Sequence, residues 1–247
     1  MKKLHRGGGS PDGEPLSAGR VEYLEAARQR VRRRRLRRTA ILLAALILVT
    51  LFATGAVGAS IARVKDLVDT VHIALSPAVG WPQQTGLGDL TAVQPMSGSF
   101  AAMDEDACVV YSLGGTRLAG IQSGYARPAL AAGKTRFVLY NRSGNELRVE
   151  SRTQNLYSKT LENSIYLCAM SDTGTLAVAT DSADSTARLT VYTPTMTEQL
   201  HWDMTGTQGT PVRMAFAADS RRLAVAAVTS SAGQLQANLF VLSLAQG

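Results

Sequence analysis

The side chain with the sharpest chemical promise is the carboxylate of Asp172, in Asp172-Thr173-Gly174 between two apolar runs. An aspartic protease presents each catalytic carboxylate this way. The chemistry needs two carboxylates about 3 Å apart sharing one proton, hence a second copy from the same chain or a dimer mate. The chain repeats the slot without the motif: Ala132-Gly133-Lys134 and Ala218-Asp219-Ser220 stand in equivalent positions. Asp and Gly are the ordinary residues of such turns, so the motif predicts a hairpin. Asp104-Glu105-Asp106, and Asp181 with Asp184, are acidic turns without the spaced oxygen ligands of a calcium loop. His5, His72 and His201 fall in a tail, a stalk and a strand and suggest no Ser-His-Asp set. Trp202, beside His201, reads as packing. Asn141-Arg142-Ser143 fits a glycosylation sequon, but closed by Gly144 it reads as a turn. Cys108 and Cys168 are too few for a four-ligand zinc site and have no histidine near them. They read as buried, reduced core residues, with a single bridge as the alternative. No phosphate-cradling loop or dinucleotide fingerprint is present. No catalytic, metal or cofactor-binding residue is expected, and no cofactor.

The elements that position these residues begin at a membrane. Eight arginines crowd residues 28–38, among them Arg32, Arg33, Arg34, Arg35, Arg37 and Arg38. From Thr39 to Ala62, 24 residues carry no charge. As a helix that run reaches about 36 Å, enough to cross a hydrocarbon core of about 30 Å with some tilt. Arginine beside a span stays cytoplasmic, so the six named arginines set the topology: N-terminus inside, everything after Arg63 outside. Val57-Gly58-Ala59 before Ser60 resembles a signal-peptide cleavage site. The long preceding segment and the apolar residues beyond that site favour an uncleaved anchor. The charge of +7 divides accordingly. Residues 1–62 hold 12 Lys/Arg and 4 Asp/Glu (+8), and residues 63–247 hold 14 and 15 (−1). The basicity belongs to the tail, where topology and anionic lipid explain it, and no nucleic-acid partner is expected.

Along the chain, residues 1–38 form a cytoplasmic basic tail with a helix expected over 21–38. Residues 39–62 form the transmembrane helix. Residues 63–98 hold a stalk helix, in which Val64, Leu67, Val68 and Val71 recur at helical spacing, and then an extended lead-in broken by Pro77, Gly80-Trp81-Pro82, Gly86 and Gly88. From residue 99 to 247, short β-rich runs alternate with polar turns every 8 to 12 residues. Three stretches align as strand, tight turn and very apolar second strand: Ala129–Tyr140, Ala169–Ala179 and Phe216–Ala226. Val138, Val178 and Val225 mark intervals of 40 and 47 residues, the length of a four-stranded propeller blade. The second strand should be buried on both faces between neighbouring blades. The predicted fold is all-β: a partial, truncated β-propeller of four-stranded antiparallel blades after an N-terminal transmembrane helix. Two full blades and parts at each end are expected. An open stack with a raw edge is the alternative to truncation.

In this order of parts the chain resembles an uncharacterised family of membrane-anchored proteins from Gram-positive bacteria, a domain of unknown function with a WD40-like or PQQ-like propeller. The resemblance rests on Gly80-Trp81-Pro82, Arg127–Leu130 with Tyr140–Gly144, Ile165–Thr180 and Val212–Leu244. It covers roughly residues 40 to 247, implies a longer full chain, and supplies no catalytic or binding residue. The function expected is a non-catalytic interaction or scaffold module, outside the cell membrane and spanning it once. Its partners would be the lipid bilayer and a protein, peptide or envelope polymer; fold-level analogy is the warrant. A quinone-cofactor propeller enzyme, or a sensor signalling through the basic tail, are the alternatives.

Overall fold

The computed structural model describes residues 56–244, with helix side chains from Val64 onward. The tail helix, the six topology arginines and most of the uncharged run lie outside the described residues. Helix α1 (Ala56–Leu75) carries the expected stalk three residues past His72. Among the described residues no helix is long and apolar enough to cross a membrane.

Fifteen strands follow among the described residues, in four antiparallel sheets within which each strand lies next to its predecessor. Blade 1 is β1 (Ala92–Met96), β2 (Ser99–Met103), β3 (Ala107–Ser112) and β4 (Arg117–Gln122). Blade 2 is β5 (Pro128–Ala132), β6 (Arg136–Asn141), β7 (Glu146–Ser151) and β8 (Asn155–Thr160). Blade 3 is β9 (Ile165–Met170), β10 (Leu176–Thr180), β11 (Ala187–Tyr192) and β12 (Glu198–Met204). Blade 4 has three strands: β13 (Thr210–Phe216), β14 (Arg222–Ser231) and β15 (Gln234–Ser243). The first strands β1, β5, β9 and β13 pack against one another in chain order.

Three expectations are corrected. The lead-in ends at Thr91 rather than residue 98, because β1 is a strand, and three blades rather than two are complete. Pro95 concealed β1. It lies on the edge of its sheet, where a missing N–H breaks no outer ladder. The third correction is one of register. Leu176, Val178, Leu223 and Val225 each point back toward the preceding blade, whereas Val138 points forward to blade 3. The blade-2 counterpart of Val178 is therefore Leu139, which faces blade 1 with Phe137. With a side-chain period of two, that one-residue slip exchanges faces.

The alternation builds three separate cores. Phe137 and Leu139 join Met96, Ala101, Met103, Cys108 and Val110 between blades 1 and 2. Val138 and Tyr140 join Cys168, Met170, Leu176 and Val178 between blades 2 and 3. Ala177 and Ala179 join Leu189, Leu223, Val225 and Ala227 between blades 3 and 4. Every residue of β10 is buried, and β6 is buried from Arg136 to Tyr140, as a strand sandwiched between neighbours requires. The outermost strands β4, β8 and β12 alternate between half-buried and exposed positions over most of their length.

The separation is testable. Leu139→Ala and Leu223→Ala should each lower unfolding free energy by about 2–5 kcal/mol, read by denaturant titration. Because the two sit in different cores, the double variant should lose the sum within about 0.5 kcal/mol.

Candidate functional site

The first candidate is the joint between α1 and one end of the blade stack. Asp66, Asp69, Thr70 and Ile73 recur at i, i+3, i+4 and i+7 and so share one helix face. That face meets the turns β1–β2, β5–β6 and β7–β8. Arg136 opens β6 and is 2% exposed. Its Nε donates to Asp66 Oδ1 at 3.1 Å and Oδ2 at 3.2 Å, and its Nη1 to the Pro194 carbonyl of blade 3 at 2.7 Å. Thr135 Oγ1 donates to Asp66 Oδ2 at 3.2 Å. Arg152, 1% exposed, donates to the Ser97 carbonyl of blade 1 (2.8 Å), the Asp66 carbonyl (3.2 Å) and Thr70 Oγ1 (2.7 Å). Thr153 Oγ1 donates to Asp69 Oδ1 at 2.6 Å. Burial pushes the Arg152 guanidinium down, and the Asp69 and Asp66 carboxylates oppose that shift. Two buried guanidiniums thus tie one helix to three blades. Ile73 is buried beside Gly98.

The other face of α1 is apolar and faces away from the blades. Val64, Leu67, Val68, Val71 and Leu75 are 50–79% exposed. A surface helix ordinarily turns its apolar stripe inward, and here the polar stripe has that place. The sequence had shown Val64, Leu67, Val68 and Val71 at helical spacing; it missed Leu75, the opposite face of Asp66, Asp69, Thr70 and Ile73, and the part played by Arg136 and Arg152. The available signal was the Asp66/Asp69/Thr70/Ile73 spacing, together with an arginine opening the apolar run Phe137–Tyr140.

After α1 the lead-in covers the free face of blade 1. Trp81 lies 5.7 Å from Phe100 and 5.6 Å from Tyr111, ring centre to ring centre, and its Nε1 donates to the Leu113 carbonyl at 2.9 Å. The Gly80 N–H donates to the Gly114 carbonyl at 2.9 Å. A Cβ on Gly115, whose φ is +86°, would collide with the Gly80 carbonyl, so this approach requires glycine. Asp104 accepts from the N–H groups of Gly88 (2.8 Å), Asp106 (2.9 Å) and Ala107 (2.6 Å). These bonds, Gly88 first, hold its carboxyl below the usual 3.8.

The remaining sequence candidates have local partners. Asp172 lies in the β9–β10 turn and pairs with Lys134 of the β5–β6 turn at 2.9 Å, joining two blades. Asp181 accepts from the Tyr166 hydroxyl at 2.7 Å; burial and this bond push Tyr166 up to about 12. Asp184 stands in the β10–β11 loop, where its charge reaches Arg188. His201 Nδ1 lies 2.9 Å from Glu198 Oε1, both exposed, and His72 is exposed on α1. Trp202 packs edge-on to Phe240 at 5.1 Å. The Asn141 carbonyl accepts from the Gly144 N–H at 3.0 Å, closing the expected turn. Among the described residues no group of three or more His, Cys, Asp or Glu could hold a metal. A shallow, open depression of about 260 Å³ is lined by Tyr125, Glu146, Leu147, Arg148, Ser158, Lys159 and Thr160. Cys108 and Cys168 are free and buried in different cores. Burial pushes the Cys108 thiol up to about 12, and Cys168 also well above its usual value.

Residues 79–246 match a family described as of unknown function, DUF5711. The chain belongs to this family. The DUF5711 region takes in Trp81 and all four blades and begins after α1. No curated protein matches the sequence. Among solved structures, the chain is similar to Hsv2 of Kluyveromyces marxianus, with 13% identity, 64% of this chain, 48% of that one and a TM-score of 0.49. Hsv2 of Kluyveromyces lactis gives 15%, 65%, 50% and 0.47, and the WD40 domain of Neurospora crassa Pan2 gives 10%, 63%, 48% and 0.44. The chain spans about half the length of these structures. The blade assignment rests on the DUF5711 region's own sheets.

Asp66→Asn should cost on the order of 1–3 kcal/mol, because it replaces the charged acceptor of Arg136 Nε with a neutral one. Amide exchange over residues 64–75 should accelerate, while β10 stays protected. The raised thiols give a pH dependence. Their contribution is complete below the unfolded value of 9.0 and is lost as pH rises from there toward the folded values, near 12 for Cys108. Iodoacetamide at pH 8 should therefore modify neither cysteine until denaturant unfolds the chain; rapid labelling of native protein would contradict this.

Proposed function

We propose that this protein is a single-pass membrane protein whose blades act outside the cytoplasmic membrane as a non-catalytic interaction module. The partner is a protein, peptide or envelope polymer. The observation that carries the reading is the α1 clamp. The helix starts inside the uncharged run and is held by Arg136 and Arg152 to one end of the blades. The loops β2–β3, β6–β7 and β10–β11, at the opposite strand ends, are left clear of α1 and open to a partner. The arginines before the run support a cytoplasmic N-terminus, and the near-neutral −1 of residues 63–247 suits a module that does not bind nucleic acid. The engagement of Asp104, Asp172, Asp181 and His201 in turns and pairs supports a non-catalytic role. The resemblance noted above favours a Gram-positive envelope as the setting.

Protease added to intact cells should degrade residues 63–247 and leave the tail; full protection of the blades would reverse the orientation. Pull-down with a variant lacking residues 1–38 should retain the partners. Loss of every partner on removing the tail alone would refute the external module.

A further inference from the structure

We infer that the depression on blade 2 binds one neutral sugar ring of a glycan; the inference rests on the interaction module proposed above and names the chemistry of its partner. The depression, about 260 Å³, lies where β7 starts and β8 ends, at the end of the blades opposite α1. Glu146 and Arg148 of β7 stand opposite Thr160 and Ser158 of β8, so the four side chains share one sheet face. Leu147 and Val149 point the other way, into the core with blade 3, so that face looks toward blade 1. Tyr125 of the β4–β5 loop borders the same space.

The fold does not ask for charge here. In the corresponding places blade 1 has Val109 and Tyr111 and blade 3 has Thr190 and Tyr192, all buried. Blade 2 has Arg148 and Glu150. Glu150 is 2% exposed and is held by Arg148 Nη2 at 3.0 Å and Asn155 Nδ2 at 2.8 Å. Arg148 Nε is buried without a hydrogen-bond partner among the described residues, while 31% of the side chain is exposed. Replacing such a pair by packed apolar groups is often neutral or stabilising, so packing alone does not account for it.

The lining decides the ligand class. Arg148 brings N–H donors, Glu146 a carboxylate acceptor, and Ser158, Thr160 and Tyr125 hydroxyls that do either. The hydroxyls of a sugar, each donor and acceptor at once, match that mixture, and Tyr125 adds an aromatic ring for the C–H face of the sugar. A phosphate or carboxylate would meet Glu146, with Arg148 already paired to Glu150. Lys159 adds no cation to the site: its ammonium lies 4.3 Å over the ring of Tyr192, which does not border the depression.

The test uses the full chain in lipid nanodiscs and saturation-transfer NMR with the methyl glycosides of glucose, galactose, mannose and N-acetylglucosamine. At least one should bind with a Kd on the order of 1 mM. Arg148 holds the buried Glu150, so two exposed positions carry the test. Glu146→Ala and Thr160→Val should each weaken that sugar about fivefold, the loss of one hydrogen bond, whereas Lys159→Met should leave it unchanged. No binding of any of the four at about 50 mM would overturn the site. So would indifference to either Glu146→Ala or Thr160→Val, equal weakening by Lys159→Met, or displacement of the sugar by inorganic phosphate or acetate. Protease added to intact cells keeps this inference apart from the reading it rests on. Blades that are degraded there but bind none of the sugars refute the sugar site alone, whereas blades that bind a sugar yet stay protected refute the external placement alone.

Discussion

Burial on both faces of β6 and β10, the second strands of the two middle blades, is the constraint on which everything else depends. A lone antiparallel sheet has two faces to cover and no interior of its own. Setting sheets side by side solves this, because Leu139 and Val138, one residue apart, serve two different cores. The solution also dictates composition. The facing strands must be apolar throughout, so charged and reactive side chains are displaced to turns and outer strands. There they link one blade to the next, as Lys134 and Asp172 do, or lock a turn, as Asp104 does. The place of Lys134, Asp172 and Asp104 in turns and the apolar packing between blades thus share one cause.

A stack of this kind has two end faces. The first is closed by the chain itself: Trp81 lies against Phe100 and Tyr111, as if a narrow slice of a further blade stood there. On the far side of blade 4, Val212, Leu235, Leu239 and Val241 are exposed, so the described residues leave that face apolar and bare.

Much of the blade architecture was legible in sequence because its signals are local. Turn residues and period-two apolarity located the strands, and even the Asp-Thr-Gly slot was recognisable as a hairpin from its neighbours. What escaped did so for physical reasons. Pro95 resembles a breaker unless one knows that its strand lies at a sheet edge. Val138 and Leu139 are both apolar, so composition cannot say which faces which blade. The clamp was invisible because its partners are about 70 to 85 residues apart, as Asp66 and Arg136 or Asp69 and Thr153 are. A polar helix stripe also looks like a solvated face until a buried arginine is found opposite it.

The clamp has a mechanical consequence. Any tension arriving through the chain before α1 reaches the blades by way of the helix's polar face and the single strand of chain that follows it. The bonds of Arg136 and Arg152 lie on that route, and the greasy contacts between blades lie beyond them. The joint behaves like a shackle, and its strength should depend on the dielectric around two guanidiniums more than on the area of any core.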